Sequence, residues 1–295
     1  MMRRIGFVGL GKMGKWMALN FLKAGCQTSV YDINSQAVEF LVENGADAGR
    51  TPADITAKAE VVFLSLPNTD IVEHVIFGET GLVQAAKKNL QIVDLSTISY
   101  LRSVEMMNIF FCDAPVSGME SRAKDASLTV MVGSTKKIFN RICPLLEIIG
   151  HTVLHMGPVG SGQLTKLVNQ ILFDINAAGL AEVLPMAAKL GLDPAKVCRI
   201  ITTGTGRSFA AEFFTPLILE NSFDQGYPLK SAYKDMASAA EISARHKIPL
   251  PLTQATANIF QMALAQGLGD ESKGALIKVF EKILDVEFRK KGAQE

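Results

Sequence analysis

The run Ile5-Gly6-Phe7-Val8-Gly9-Leu10-Gly11-Lys12-Met13-Gly14 sets three glycines in the spacing G-x-G-x-x-G, directly after a strand-like stretch and directly before the helical run 15–24. In that context each glycine has a physical role. Gly9 permits a tight turn, Gly11 lets backbone amides approach a pyrophosphate, and Gly14 lets the helix pack on the strand. The helix N-terminus adds free N–H groups and a positive dipole. The next strand-like run, 28–31, ends in Asp32, 18 positions beyond Gly14, near the roughly 20-residue spacing at which a carboxylate meets the ribose hydroxyls of a dinucleotide. An anion there accepts from a free 2′-hydroxyl and repels a 2′-phosphate, and no arginine follows nearby. The pattern therefore favours NAD over NADP. Two readings compete with it. The glycines could serve the turn alone, with Asp32 capping the next helix; or the site could hold FAD, which usually requires a larger companion domain.

A nucleotide site names no reaction, so the group that handles protons has to be sought elsewhere. Of the four histidines, His74 and His246 fall in polar helical stretches and His151 and His155 flank an apolar strand. None of Tyr31, Tyr100, Tyr227 and Tyr233 has a lysine four residues later, which excludes the Tyr-x-x-x-Lys acid of short-chain dehydrogenases. Cys26, Cys112, Cys143 and Cys198 are scattered, without the close pairs of a zinc site or a redox dithiol. They read as core thiols of a reduced, cytoplasmic protein, and no metal is expected. What is left is Lys166, in Gly160-Ser161-Gly162-Gln163-Leu164-Thr165-Lys166-Leu167-Val168-Asn169-Gln170, at the start of a long helical pattern. Lys166 and Asn169 are three apart and share a helix face, from which both could project toward a cleft between domains. A partly desolvated lysine there can give a proton to a carbonyl oxygen as hydride arrives and take it back in the oxidation direction. Asn169 would orient lysine or substrate. Spacing alone leaves a solvated surface lysine as the simpler reading.

The elements that would position these residues alternate through the first half. Strand-like runs at 5–8, 28–31, 61–66 and 91–95 are interleaved with amphipathic stretches, which predicts βαβ units on a parallel sheet. Extended candidates at 109–112, 128–132 and 152–155, and a helix over 136–149, would continue that sheet. After Gly157-Pro158-Val159-Gly160 the strand-like runs stop and helical spacing begins, over 161–190 and then near 194–203, 210–220, 229–246, 251–266 and 273–280. The expected fold class is α/β: a Rossmann-type dinucleotide-binding domain over 1–160, followed by an all-α domain over 161–295. There are no repeats and no low-complexity tract.

With 295 residues, 48% apolar and 20% charged, and a net charge of +1, the chain suits two ordinary cores. No charge excess draws it to nucleic acid or an anionic membrane. The apolar stretch after Arg3 and Arg4 is short, glycine-rich and interrupted by Lys12, unlike a signal peptide. The apolar stretch 171–188 carries Asp174, Asn176 and Glu182, which a bilayer span would bury at high cost.

Along almost its whole length the chain resembles the β-hydroxyacid dehydrogenase family, which includes 3-hydroxyisobutyrate dehydrogenases and tartronate semialdehyde reductases. Gly9-Leu10-Gly11-Lys12-Met13-Gly14 is similar to the family's G-L-G-x-M-G, in which Met13 is distinctive. Asp113-Ala114-Pro115-Val116-Ser117-Gly118 resembles its substrate-binding D-A-P-V-S-G, Thr165-Lys166-Leu167-Val168-Asn169 its catalytic T-K-L-x-N, and Lys234-Asp235 the K-D of a later helix. Leu66-Pro67-Asn68 and Ser96-Thr97 resemble loops that touch the cofactor. The resemblance implies that Lys166 is the proton donor, that Ser117 and Gly118 hold a substrate carboxylate, and that Asn169 assists them. It also implies that Thr97 and Lys234 lie on the nicotinamide side, that Asp235 fixes Lys234 or its helix, and that the chain forms a homodimer or homotetramer.

Two departures stand out. Met119 occupies the place of a second glycine after Ser-Gly, keeping the N–H but adding a side chain to the substrate loop. Only 98–108 separates two of the expected strands, close to the roughly 10–12-residue minimum of a parallel crossover, so its helix must be short or missing. The leading expectation is NAD-linked interconversion of a small 3-hydroxy acid, such as 3-hydroxyisobutyrate or glycerate, with its semialdehyde. NADP-linked reduction of glyoxylate or succinic semialdehyde is disfavoured by Asp32, and imine reductases of similar fold should lack Lys166. A non-catalytic NAD-binding regulator of the same fold is the reading from a different class.

Overall fold

The computed structural model describes residues 4–86, 90–106 and 111–290. They divide into two compact units, Met1–Lys166 and Leu167–Glu295.

The first unit opens with β1 (Arg4–Val8), α1 (Gly14–Lys23), β2 (Gln27–Tyr31), α2 (Ser35–Glu43), a short β3 (Asp47–Ala48), α3 (Pro52–Lys58), β4 (Val61–Leu64), α4 (Thr69–Phe77) and β5 (Gln91–Asp94). It continues through α5 (Tyr100–Glu105), β6 (Phe111–Asp113), β7 (Val116–Ser117), α6 (Met119–Lys124), β8 (Leu128–Gly133), α7 (Lys136–Leu146) and β9 (Gly150–Gly157), and ends in the first residues of α8 (Ser161–Lys189). The strands form one sheet in the order β3-β2-β1-β4-β5-β6-β8-β7, with β9 paired to β8. From β3 to β6 the pairing is parallel. Strands β4 and β5 are buried at every position, as expected of a parallel sheet covered on both faces; β4 accordingly reads as an unbroken apolar run, Val61-Val62-Phe63-Leu64. Phe7, Phe21 and Phe63 stack in the core against one face of the sheet.

The expectation of a continued parallel sheet is corrected at one edge, where β8 runs antiparallel to β6 and β7. The helix between β7 and β8 has only six residues, a rise of about 9 Å, too short to carry the chain back for a parallel return. The connection over 98–108 holds a six-residue helix, α5, as its length requires. The first two residues of the strand expected at 109–112 lie outside the described residues.

Helix starts are marked by side-chain caps: Asn34, Thr51, Asn68, Ser99 and Thr135 each accept a backbone N–H in the first turn of the helix that follows. Asn34, not Asp32, caps α2, so the reading that confined Asp32 to helix capping does not hold.

The second unit is helical: the remainder of α8, then α9 (Pro194–Thr203), α10 (Phe209–Leu219), α11 (Leu229–His246), α12 (Pro251–Ala265) and α13 (Ile277–Leu284). Helix α8 is long and apolar enough, by length and composition, to cross a membrane. Here Ala177, Leu180, Ala181 and Leu184 belong to a core with Phe214, Ile218, Phe260 and Leu276. Within that unit Asp174 on α8 is buried in an ion pair with Lys273.

Candidate active site

The glycine turn joins β1 to α1. Gly9 has φ +95°, and a Cβ there would stand 2.3 Å from the Ser65 carbonyl; one at Gly14 would stand 1.9 Å from the Gly9 carbonyl. At Gly11, by contrast, a Cβ would meet nothing within 4 Å. The turn is therefore closed toward the sheet and open above Gly11, and no side chain caps α1. An uncapped helix N-terminus beneath open space suits a pyrophosphate. Leu10 is a core residue, Met13 packs half-buried on the same core, and Lys12 is exposed.

Asp32, at the tip of β2, ties this turn to the next strand. Its Oδ2 accepts the Leu10 N–H at 2.5 Å and its Oδ1 the Asn34 N–H at 2.8 Å. Those two bonds fix the carboxylate plane beside the turn and leave lone pairs for further donors. A dinucleotide thus fits the residues present, with ribose hydroxyls at Asp32 and phosphates at the glycine turn.

The loops after β4 and β5 are bound to each other. The Leu66 N–H donates to Ser96 Oγ at 2.8 Å, the Ser96 N–H donates to Asp94 Oδ1 at 2.9 Å, and the Ser99 N–H donates to Thr69 Oγ1 at 3.1 Å. Pro67 and Asn68 are exposed, and Asn68 accepts the Ile71 N–H at 2.9 Å as the cap of α4. Thr97 is half-buried in the loop that follows β5. All of these residues stand at the carboxyl ends of parallel strands, where ligands of such sheets bind.

Ser117 closes β7, and Gly118 and Met119 lead into α6. Met119 has φ +62° and is 42% exposed, so it holds a left-handed conformation that favours glycine. Helix α6 is fastened to α1: Trp16 Nε1 donates to Glu120 Oε1 at 2.9 Å, and Asn20 Nδ2 donates to the Ala123 carbonyl at 2.9 Å. The indole bond, with the Lys124 ammonium, holds the Glu120 carboxyl below its usual range. The helix that follows the glycine turn and the one that follows Ser117-Gly118 are thereby set against each other.

Lys166 is 8% exposed on α8. The N-terminus of that helix is capped by a distant carboxylate, Asp113, whose Oδ1 accepts the Gly160 N–H at 2.7 Å and whose Oδ2 accepts the Gln163 N–H at 2.8 Å. Burial raises the Asp113 pKa to about 6 against the lowering effect of those N–H donors. Asp113, the first letter of the motif that includes Ser117 and Gly118, is thus a buried structural acceptor. Gln163, to which the sequence reading assigned no role, joins the same network. Its position three residues before Lys166 was the available signal.

In the second unit, Asn169 Nδ2 donates to Gln170 Oε1 at 3.2 Å, and Gln170 Nε2 donates to Asp235 Oδ2 at 3.3 Å. Asp235 is buried and Lys234 half-buried on α11. The bond from Gln170 links α11 to α8 directly beside Asn169.

Comparison with known proteins bears on both units. Residues 4–157 match the family described as the NAD binding domain of 6-phosphogluconate dehydrogenase. Residues 160–280 match the one described as NAD-binding of NADP-dependent 3-hydroxyisobutyrate dehydrogenase. The chain is 37% identical to 2-(hydroxymethyl)glutarate dehydrogenase of Eubacterium barkeri over 96% of each. It is 33% identical to 2-hydroxy-3-oxopropionate reductase of Escherichia coli K12, over 94% of this chain and 97% of the relative. Among solved structures, a Mycobacterium tuberculosis 3-hydroxyisobutyrate dehydrogenase with L-serine superposes with a TM-score of 0.86, at 28% identity, over 94% of this chain and 99% of that one.

Proposed function

We propose that this chain, which belongs to the β-hydroxyacid dehydrogenase family, oxidises a small 3-hydroxy acid reversibly to its semialdehyde with NAD, Lys166 moving the proton. Its class, an NAD(P)-dependent hydroxyacid dehydrogenase acting on a small hydroxy acid, follows from the family. The finer reading rests on one observation: Lys166 is drawn to 8% exposure on a helix whose first turn is bonded to the carboxyl ends of β5 and β6.

The relatives point to a common substrate skeleton. 2-(Hydroxymethyl)glutarate, 3-hydroxyisobutyrate and the glycerate formed by reducing 2-hydroxy-3-oxopropionate are all HOCH2–CH(R)–COO−, with R a carboxyethyl, methyl or hydroxyl group. The L-serine with the mycobacterial enzyme is the same skeleton with R an ammonium group. Chemistry falls on the hydroxymethyl carbon, the carboxylate is constant, and R alone varies.

In this reading the Ser117 hydroxyl and the N–H groups of Gly118 and Met119 hold the carboxylate, and Asn169 assists. Lys166 Nζ takes the hydroxyl proton as the alcohol becomes an aldehyde and returns it in the reverse direction. A bound nicotinamide would supply the hydride chemistry at the hydroxymethyl carbon, in either direction. Leu66, Pro67, Asn68 and Thr97 line the cofactor, and Lys234, steadied by Asp235, supplies a second cation toward cofactor and substrate. NAD is preferred because Asp32 repels a 2′-phosphate and the stretch after it, Ile33-Asn34-Ser35-Gln36, holds no cation to receive one. The same reading has the chain act as a homodimer or homotetramer, for which the exposed Leu164, Val168 and Leu172 on α8 are suited.

The test is absorbance at the nicotinamide band with NAD or NADP and a panel of HOCH2–CH(R)–COO− acids, with 4-hydroxybutyrate as the displaced-alcohol control. Turnover of a panel member with NAD is expected, and Lys166→Ala should lower kcat by about 10²–10⁴ while NAD still quenches Trp16, the sole tryptophan. Full turnover by Lys166→Ala would remove the lysine from the mechanism, and preference for NADP would overturn the reading of Asp32. NAD binding without any turnover would favour the regulator.

A further inference from the structure

Gln163 stands one helical turn before Lys166 on α8 and is 2% exposed. Its side-chain amide brackets a single residue of the loop after β5: Nε2 donates to the Ser96 carbonyl at 2.7 Å, and Oε1 accepts the Ile98 N–H at 3.1 Å, with Thr97 between them. Its backbone N–H goes to Asp113, which also takes the Gly160 N–H. Asp113 is wholly buried at the end of β6, and a Cβ at Gly162 would come within 2.8 Å of its Oδ2. Ser96 carries the chain of bonds onward, its hydroxyl accepting the Leu66 N–H from the loop after β4.

A helix N-terminus needs only a local Ser, Thr, Asp or Asn for its orphan donors. Here the cap comes from a carboxylate 47 positions before Gly160 in the chain, and Gln163, the second residue it caps, clamps a loop on both sides of Thr97. This costs the fold two buried polar side chains, which are tolerated only when fully bonded. The return is geometric. The loop at the end of β5 and the turn that carries Lys166 cannot shift independently, and a reacting group misplaced by about 1 Å can lose about 10² in rate.

We propose that Gln163 and Asp113 are positioning residues that hold Lys166 in register with the Thr97 loop, so that the proton-transfer group and the cofactor loop are one rigid body. The inference rests on Lys166 being the proton donor, as proposed above.

Gln163→Met keeps the length of the side chain and removes both amide bonds. Without nucleotide, amide hydrogen exchange at Ile98 and over the first turn of α8 should rise roughly tenfold. With substrate, kcat should fall about 10², while the nucleotide affinity read from Trp16 quenching stays within about threefold. Asp113→Asn, which keeps size but turns an amide NH2 toward one of the two N–H donors, should act in the same direction at Gly160 and Gln163 and serves if Gln163→Met does not fold. Faster exchange with unchanged kcat in the folded protein would make the clamp structural and overturn the proposal, as would wild-type exchange in both variants. Full turnover by Lys166→Ala would instead sink the proposed function, and the exchange result would then stand apart from it.

Discussion

Among the buried carboxylates bonded to the long helix α8, Asp113 of the first unit and Asp174 of the second are satisfied in different ways. Asp113 reaches the N-terminus of α8 from β6 and is held by backbone N–H donors. These orient the carboxylate without cancelling its charge, and burial wins, raising its pKa to about 6. Asp174, on α8 itself, is matched by the Lys273 ammonium, which also lies 4.7 Å from the Phe173 ring centroid, with both ionic side chains almost fully buried. There a charge meets a charge. The first device sets backbone geometry beside Lys166 and responds to protonation near pH 6. The second is a packing element of a helical core, of the kind that fixes which surfaces meet.

The largest expected effect is at the ion pair. Lys273→Met removes the ammonium from beside the buried Asp174 carboxylate and should cost about 3–5 kcal/mol in denaturant unfolding, with kcat of the folded protein little changed. Joining it to Asp174→Leu should recover most of that loss, since an apolar pair of similar volume needs no desolvation of charge. If Asp113→Asn costs as much stability as Lys273→Met, or if Lys273→Met lowers kcat as much as Gln163→Met, the division between the two devices fails.

Next comes pH. The folded protein binds the Asp113 proton more tightly than the unfolded chain does, because the pKa rises from 3.8 to about 6 on folding. The unfolding free energy from this group therefore falls as pH rises from about 4 to about 6, by roughly 3 kcal/mol at about 1.4 kcal/mol per unit, and is flat above. Turnover should move in the opposite sense, because a protonated carboxyl turns one acceptor oxygen into a donor facing an N–H. Asp94 occupies the adjacent register position on β5 and Cys112 precedes Asp113 in β6, so the effect is read as the difference between wild type and Asp113→Asn. That difference should show stability rising and kcat falling as pH drops through 6. Parallel loss of both would place the titration elsewhere.

Much of this was legible in the sequence, for identifiable reasons. The glycine turn, Asp32 at the tip of β2, and the helices α9 and α11 follow from short-range rules, and the last two keep their expected limits at 194–203 and 229–246. The short α5 followed from chain length alone. What escaped was long-range and polar. The bonds from Gly160 and Gln163 to Asp113 span 47 and 50 positions, and those from Gln163 to the loop after β5 span 65 and 67. No periodicity encodes them. Asp113 looked like part of a substrate loop because it shares a motif with Ser117, yet its strand ends where its side chain turns inward. The reversed direction of β8 escaped for the same reason, since a strand's partner is not written in its own alternation.

The smallest effect concerns Met119, and it sharpens the comparison by testing the other edge of the site. An L residue at φ +62° carries a backbone cost of about 1 kcal/mol, and Met119 keeps that conformation at the start of a six-residue helix fastened to α1 through Glu120 and Ala123. Met119→Gly should therefore stabilise the fold, by somewhat less than that cost because glycine is freer in the unfolded chain. It should also act on R, the variable part of the substrate skeleton. Losing the thioether should raise kcat/KM for acids with bulky R relative to glycerate, with little change for the smallest. Among the described residues no hydrogen bond joins Met119 to Asp113 or Gln163, so Met119→Gly and Gln163→Met should be additive in unfolding free energy within about 0.5 kcal/mol. Non-additivity beyond that would mean the substrate loop and the Lys166 turn are coupled through the sheet, joining two parts of the site that the hydrogen bonds keep separate.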